Sequence, residues 1–317
     1  MLASFNITFQ AILQLALLGA TGFILIRKKV VSEEGLETLS RLVIGLFLPL
    51  LMFTQITSAF TFKGFPDWWM FPLLSVFLTV IGYGFGLIFL RFNKSFGQQE
   101  GPFLSISTFQ NSGYLPLPLA ASMLPPDLAS EMFIYIFLFL LGFNMTIFSF
   151  GIYIVSCRGK SCRFDYKDMF NAPVIATLTA LVVVFLRLQA VLPPVLMNPA
   201  KILGECAIPL SIFVVGGNLA LIHIRSLKNL KPLISGLAIK LLILPLVVLF
   251  FLLVFKPRPL VGLLLMLQAC MPPAALLSVI ARNEKVEEEL INQAIFYGHL
   301  LSILTIPLFL GLYRAFP

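Results

Sequence analysis

Thr-Phe-Gln-Asn-Ser-Gly-Tyr-Leu-Pro-Leu-Pro-Leu-Ala, residues 108 to 120, places a polar run and two prolines inside a stretch otherwise long and apolar enough to span a membrane. A proline has no N–H and clashes with the carbonyl four residues back, so Pro116 frees the carbonyl of Ser112 and Pro118 frees that of Tyr114. Lipid cannot satisfy freed carbonyls, and irregular backbone at membrane depth survives only where it is buried in protein or lines a watery cavity. The segment Leu260 to Ala281 repeats the pattern with Gln268, Pro272 and Pro273. Two interrupted helices in corresponding halves of a chain point to a transporter's substrate site.

Composition agrees with a membrane setting. Of 317 residues 59% are hydrophobic and only 11% charged, and the mean hydropathy is +0.99. A soluble domain is roughly 45 to 50% apolar and about 25% charged. The net charge of +8 comes from basic residues in short loops between apolar runs, so it reads as a topology signal and no nucleic-acid partner is expected. Cys157 and Cys162 share a loop while Cys206 and Cys270 fall in apolar segments, which gives neither a metal spacing nor a disulfide framework. The first apolar run, Phe5 to Ile26, lacks the basic start and cleavage site of a signal peptide and is taken as helix 1.

At about 20 apolar residues per crossing, ten spans are expected. They are residues 5 to 26, 40 to 59, 68 to 90, 102 to 124 and 131 to 155, then 172 to 190, 203 to 223, 232 to 255, 260 to 281 and 289 to 313. Of the 22 Lys and Arg residues, 15 lie at the connections after helices 1, 3, 5, 7 and 9. The positive-inside rule then puts both termini outside and the loop Cys157 to Phe170 in the cytoplasm. Residues 1–155 form a first five-helix unit, 156–171 a linker, and 172–317 a second unit of opposite orientation. Weak internal similarity supports an inverted repeat: Leu-Pro-Leu at 48 to 50 matches Ile-Pro-Leu at 208 to 210, Pro118 matches Pro272, and Asn144 matches His299, at offsets between 154 and 160.

Ionisable residues at membrane depth are functional candidates by default, and few occur. Lys240 lies about two turns into helix 8, where it can snorkel to the interface or make a structural pairing, or take a direct part in binding or charge balance. His299 is the only histidine well inside a span and reads either as a packing residue or as a proton relay. No acidic pair sits at depth, so a carboxylate-based sodium or proton site is not visible. His-Glu-x-x-His, Gly-x-Ser-x-Gly and Walker A motifs are absent, and neither an enzymatic activity nor a cofactor is expected. What remains is neutral: Gln110, Asn111, Ser112 and Tyr114, then Asn144, Asn218 and Gln268. Amides and hydroxyls can hydrogen-bond a carboxylate, and a half-helix N-terminus adds unpaired N–H groups and about half a positive charge. The competing account is that the prolines only kink their helices and the amides glue them together.

Several segments resemble the auxin efflux carrier family, whose bacterial members move small organic acids. Ser32 to Phe53 resembles its run into helix 2, and Phe109 to Ala120 its broken helix 4, with Asn111, Gly113 and Pro118 on recurring positions. Ala207 to Leu219 resembles its helix 7, Lys240 to Pro245 its helix 8, and Met271-Pro272, Ala281-Arg282 and Leu301 to Pro307 its C-terminal signature. The resemblance implies an all-α polytopic membrane protein of ten transmembrane helices in two inverted five-helix repeats. Helices 1, 2, 6 and 7 would form a scaffold bundle, and helices 3 to 5 and 8 to 10 a transport bundle in which helices 4 and 9 cross at their prolines. Relatives of this fold are commonly homodimers through the scaffold. The expected protein is a secondary transporter of small organic anions, dicarboxylates or auxin-like carboxylates, in a bacterial plasma membrane. Its expected site is Asn111, Ser112, Gly113, Tyr114, Pro116, Pro118, Asn144, Gln268, Pro272 and Pro273, with Lys240 and His299 setting charge balance or proton linkage. Leu276 departs from the family in standing where many members place a polar residue, and Pro116 adds a second break. A sodium-coupled symporter of the bile-acid type and a non-transporting sensor of organic acids are the alternatives.

Overall fold

Apolar runs punctuated by proline can bend or stop, and this chain does both. A computed structural model describes residues 2–93, 96–156, 169–222 and 230–315. Among them all regular elements are helical, and the one extended pairing is an isolated antiparallel bridge between Gln110 and Pro273. The helices are α1 (Leu2–Arg27), α2 (Glu33–Ala59), α3 (Met70–Phe92), the half-helices α4a (Glu100–Thr108) and α4b (Pro116–Met123), and α5 (Pro126–Ser156). They continue with α6 (Ala172–Phe185), α7 (Pro194–Leu221), α8 (Leu230–Phe255), the half-helices α9a (Pro259–Ala269) and α9b (Leu276–Asn283), and α10 (Glu289–Ala315). Seven of the described helices, α1, α2, α3, α5, α7, α8 and α10, are long and apolar enough to cross a membrane; α6 and α9a are shorter apolar helices.

Boundaries differ from the hydropathy reading where polar chemistry sets them. α2 begins at Glu33, seven residues before the apolar run, because the Ser32 hydroxyl accepts from the Gly35 N–H at 3.0 Å and caps an acidic first turn. α7 starts at Pro194, which suits a first helical position. α6 stops at Phe185, five residues short of the expected end, where Arg187 turns left-handed at φ 57°. The linker expected in the cytoplasm, with Cys157 and Cys162, lies outside the described residues except at its edges.

Some prolines bend without breaking. Pro49 supplies no N–H to the Gly45 carbonyl, and Pro245 none to that of Leu241. A wide π turn is centred on each of these residues, Val43–Phe47 in α2 and Ile239–Ile243 in α8. The second π turn carries Lys240, so the helix is irregular where its one buried cation leaves it.

The closest packing runs between distant parts of the chain, and α1 packs on α10 as well as on α7. α1 lies along α7, and α2 packs on α6 and on the first half of α7; α3 lies along α5. The α1–α7 approach depends on glycine: a Cβ on Gly216 would collide with the Gly19 carbonyl, and one on Gly22 with that of Phe213. Such small-residue contact lets helices associate where lipid removes the hydrophobic drive. Large side chains face outward along these helices, with Phe92, Phe185, Val195 and Phe255 all exposed. An apolar surface of this extent belongs against lipid.

Candidate functional site

The two interrupted helices meet at their breaks, and their backbones pair. The Asn111 N–H donates to the Pro272 carbonyl at 2.8 Å, and the Ala274 N–H donates to the Phe109 carbonyl at 3.1 Å. This short antiparallel contact satisfies backbone groups that neither half-helix can satisfy alone.

The carbonyls that the prolines free are both filled by side chains from other helices. Gln268 Nε2, from the end of α9a, donates to the Ser112 carbonyl at 3.2 Å. Ser211 Oγ, from α7, lies 3.1 Å from the Tyr114 carbonyl and shares its one proton between it and the Ile208 carbonyl at 2.8 Å. The last carbonyl of α4a, that of Thr108, receives Lys240 Nζ at 3.1 Å, and the same ammonium donates to Gln110 Oε1 at 3.1 Å. A cation at a helix C-terminus is favoured by the dipole. Lys240 is fully buried, so the snorkelling expectation is corrected: the ammonium turns inward to two oxygen acceptors. Among the described residues no carboxylate pairs with it.

Asn111 makes a side-chain bond as well, Nδ2 to His299 Nε2 at 3.3 Å. His299 Nδ1 lies 2.8 Å from the Ile295 carbonyl, which can only accept. The hydrogen-bond network therefore assigns the ring proton to Nδ1 and leaves Nε2 as acceptor for the Asn111 amide.

A cavity of about 130 Å³ opens beside this crossing. Its polar wall is Gln110, Asn111, Ser112, Gly113 and Tyr114 of the helix 4 break, Asn144 of α5 and Asn171, while Leu140, Phe143 and Phe148 make it apolar elsewhere. Asn171 caps α6 by accepting from the Val174 N–H at 3.1 Å. Ala274, Ala275 and Leu276 bring the N-terminal end of α9b to the same wall, the positive end of its dipole. α4b contributes less of this kind. Pro116 and Pro118 have no N–H, and the N–H groups of Leu117 and Leu119 point back to the Gly113 and Leu115 carbonyls.

Five of the residues expected from sequence thus line one cavity: Asn111, Ser112, Gly113, Tyr114 and Asn144. Pro116, Pro118, Gln268, Pro272 and Pro273 do not line it and shape the backbone that does. His299 and Lys240 stand behind the wall, one holding Asn111 and the other Gln110. Ser211 and Asn171 were missed. Ser211 carries no signal beyond a lone hydroxyl in an apolar run, whereas Asn-Ala-Pro at 171 to 173 is a readable helix start. Buried polar atoms without a hydrogen-bond partner here include Gln110 Nε2, Ser112 Oγ, Tyr114 Oη and Gln268 Oε1. Among the described residues no carboxylate lines the cavity, and the wall presents amides, hydroxyls and a helix end.

On the other side of the Asn111–His299 contact lies a second cavity of about 390 Å³, between α1, α7, α4b and α10. It is almost wholly apolar, with His299 and Ser302 as its polar edge. Asn111 lines the first cavity and its hydrogen-bond partner His299 lines the second.

A polytopic helical chain with paired breaks beside a cavity is consistent with a membrane carrier, and sequence comparison agrees. The chain belongs to the membrane transport protein family, that of the auxin efflux carriers, whose model matches residues 7–310. It is also 26% identical over 303 residues to an uncharacterized transporter of Methanothermobacter thermautotrophicus, a match covering 94% of this chain and 96% of that one.

Proposed function

We propose that this transporter moves small organic anions, dicarboxylates of malonate or malate size, by alternating access across a bacterial plasma membrane. The observation that carries the reading is the cavity at the crossing, which is small, polar along one wall and, among the described residues, free of carboxylates. Its volume falls below the roughly 300–1,000 Å³ of pockets for drug-sized ligands. Buried donors without partners are costly, about 1–3 kcal/mol each, and are tolerated where a ligand completes them.

The proposal includes ten crossings in two inverted repeats. Three crossings beyond the seven long helices are supplied by α6 and by the α4a–α4b and α9a–α9b pairs. Both termini then lie outside. The α1, α2, α6 and α7 group is the scaffold and the homodimer surface, and the elements around the crossing move against it. Purified protein in proteoliposomes is expected to accumulate labelled malonate or malate with no requirement for sodium. Binding without accumulation would make the protein a sensor, and sodium-dependent accumulation would make it a symporter.

A further inference from the structure

The proposed cargo is an anion, yet among the described residues no charged side chain lines the cavity. Lys240 and Gln110 account for the difference. We infer that Gln110 is a specificity-determining residue that donates from Nε2 to the anionic group of the cargo, and that Lys240 is the positioning residue that fixes the direction of its amide. The inference rests on the anion reading of the crossing cavity proposed above.

An amide side chain can present either end, and an ammonium decides which. Lysine Nζ carries three donors and no acceptor, so its 3.1 Å contact with Gln110 has to be made to the oxygen end. The second bond, to the Thr108 carbonyl at 3.1 Å, holds the ammonium in place against the end of α4a. With Oε1 held, Nε2 is left as the end without a partner, on a fully buried side chain of a residue that lines the cavity. Ser112 Oγ, two residues on, is on the same wall and is likewise buried without a partner.

The arrangement also carries charge forward. A hydrogen bond from a cation to the oxygen of an amide polarises the whole group and strengthens its N–H as a donor. The positive charge of Lys240 is therefore felt in the cavity while the ammonium stays behind the wall. Asn111 does not duplicate this role, since one of its N–H groups is committed to His299.

The test is equilibrium binding of labelled malonate to purified full-length protein in nanodiscs, with malate and indole-3-acetate as competitors and the neutral malonamide as control. Losing one such hydrogen bond corresponds to about ten-fold in affinity, so Gln110→Met is expected to weaken malonate binding about ten-fold. Lys240→Met is expected to do the same, but to add less than about two-fold in the Gln110→Met background, because it acts through Gln110. Lys240→Arg, which keeps the donor, should restore most of the binding. Gln110→Glu preserves size and the Lys240 contact while replacing the donor with an acceptor, so it separates a lost donor from a lost fold; it should abolish binding. Unchanged binding in Gln110→Met, retained binding in Gln110→Glu, or additive losses in the double variant would each overturn the inference. Wild-type protein that binds none of the three acids would overturn the anion reading and this inference with it.

Discussion

The helix 4 and helix 9 breaks look alike in outline and divide the work between them. In helix 4 the irregular residues run from Phe109 to Leu115 and include the polar Gln110, Asn111, Ser112 and Tyr114, and the prolines come after them, at the first and third positions of α4b. In helix 9 the irregular residues are Cys270, Met271, Pro272, Pro273, Ala274 and Ala275, and both prolines lie within the gap itself. One break supplies side chains to the cavity. The other supplies a rigid backbone, the Pro272 carbonyl and Ala274 N–H, against which the first is held open. A proline pair alone does not make a binding residue: what matters is whether it starts a helix or prevents one.

This asymmetry can be broken from either side. The largest effect is expected from Pro272→Ala combined with Pro273→Ala. Proline disfavours a helix interior by about 3 kcal/mol relative to alanine, so restoring both N–H groups should let α9a run on toward α9b and remove the pairing with helix 4. Helix content by circular dichroism should rise and malonate uptake should be lost. Gly298→Ala is expected to come next. A Cβ there would stand 2.7 Å from Pro273 Cδ, which pushes on the helix 9 frame without touching helix 4, and overpacking of this kind costs about 1–3 kcal/mol. Thermal unfolding in detergent should show that loss together with a fall in uptake. Gln268→Leu leaves the Ser112 carbonyl without its donor and should destabilise by about 1–2 kcal/mol, read in the same melt. The smallest effect is expected from Pro116→Ala. Alanine is accepted at a first helical position, and its new N–H can reach Ser112, so stability should change by less than about 1 kcal/mol. Equal damage from Pro116→Ala and the helix 9 double variant would mean that the two breaks are equivalent after all.

Much of this was legible in the sequence because membranes simplify the problem. Hydropathy placed all seven long helices, and a proline rule named the two carbonyls, of Ser112 and Tyr114, that would need partners. Which groups fill them was not legible. Gln268 and Ser211 lie 156 and 97 residues away in the chain from their acceptors, and nothing in local pattern pairs them. Lys240 was read as a residue near one end of an apolar helix, where snorkelling is the usual outcome. The overriding fact is tertiary: a helix stops at Thr108 beside it and exposes a carbonyl. The helix ends at the start of α2 and α7 were missed for the opposite reason, since capping and proline chemistry extend a helix through residues that hydropathy scores as loop.

The central claim is that the polar side of the crossing, and Asn111 within it, holds the cargo while the proline side holds the frame. Its most direct test is uptake of labelled malonate into proteoliposomes by Asn111→Ala, alongside wild type, with expression and melting temperature matched. The account predicts that uptake is abolished while the protein remains folded. Unchanged uptake by a folded Asn111→Ala variant would contradict it and move the site away from the crossing.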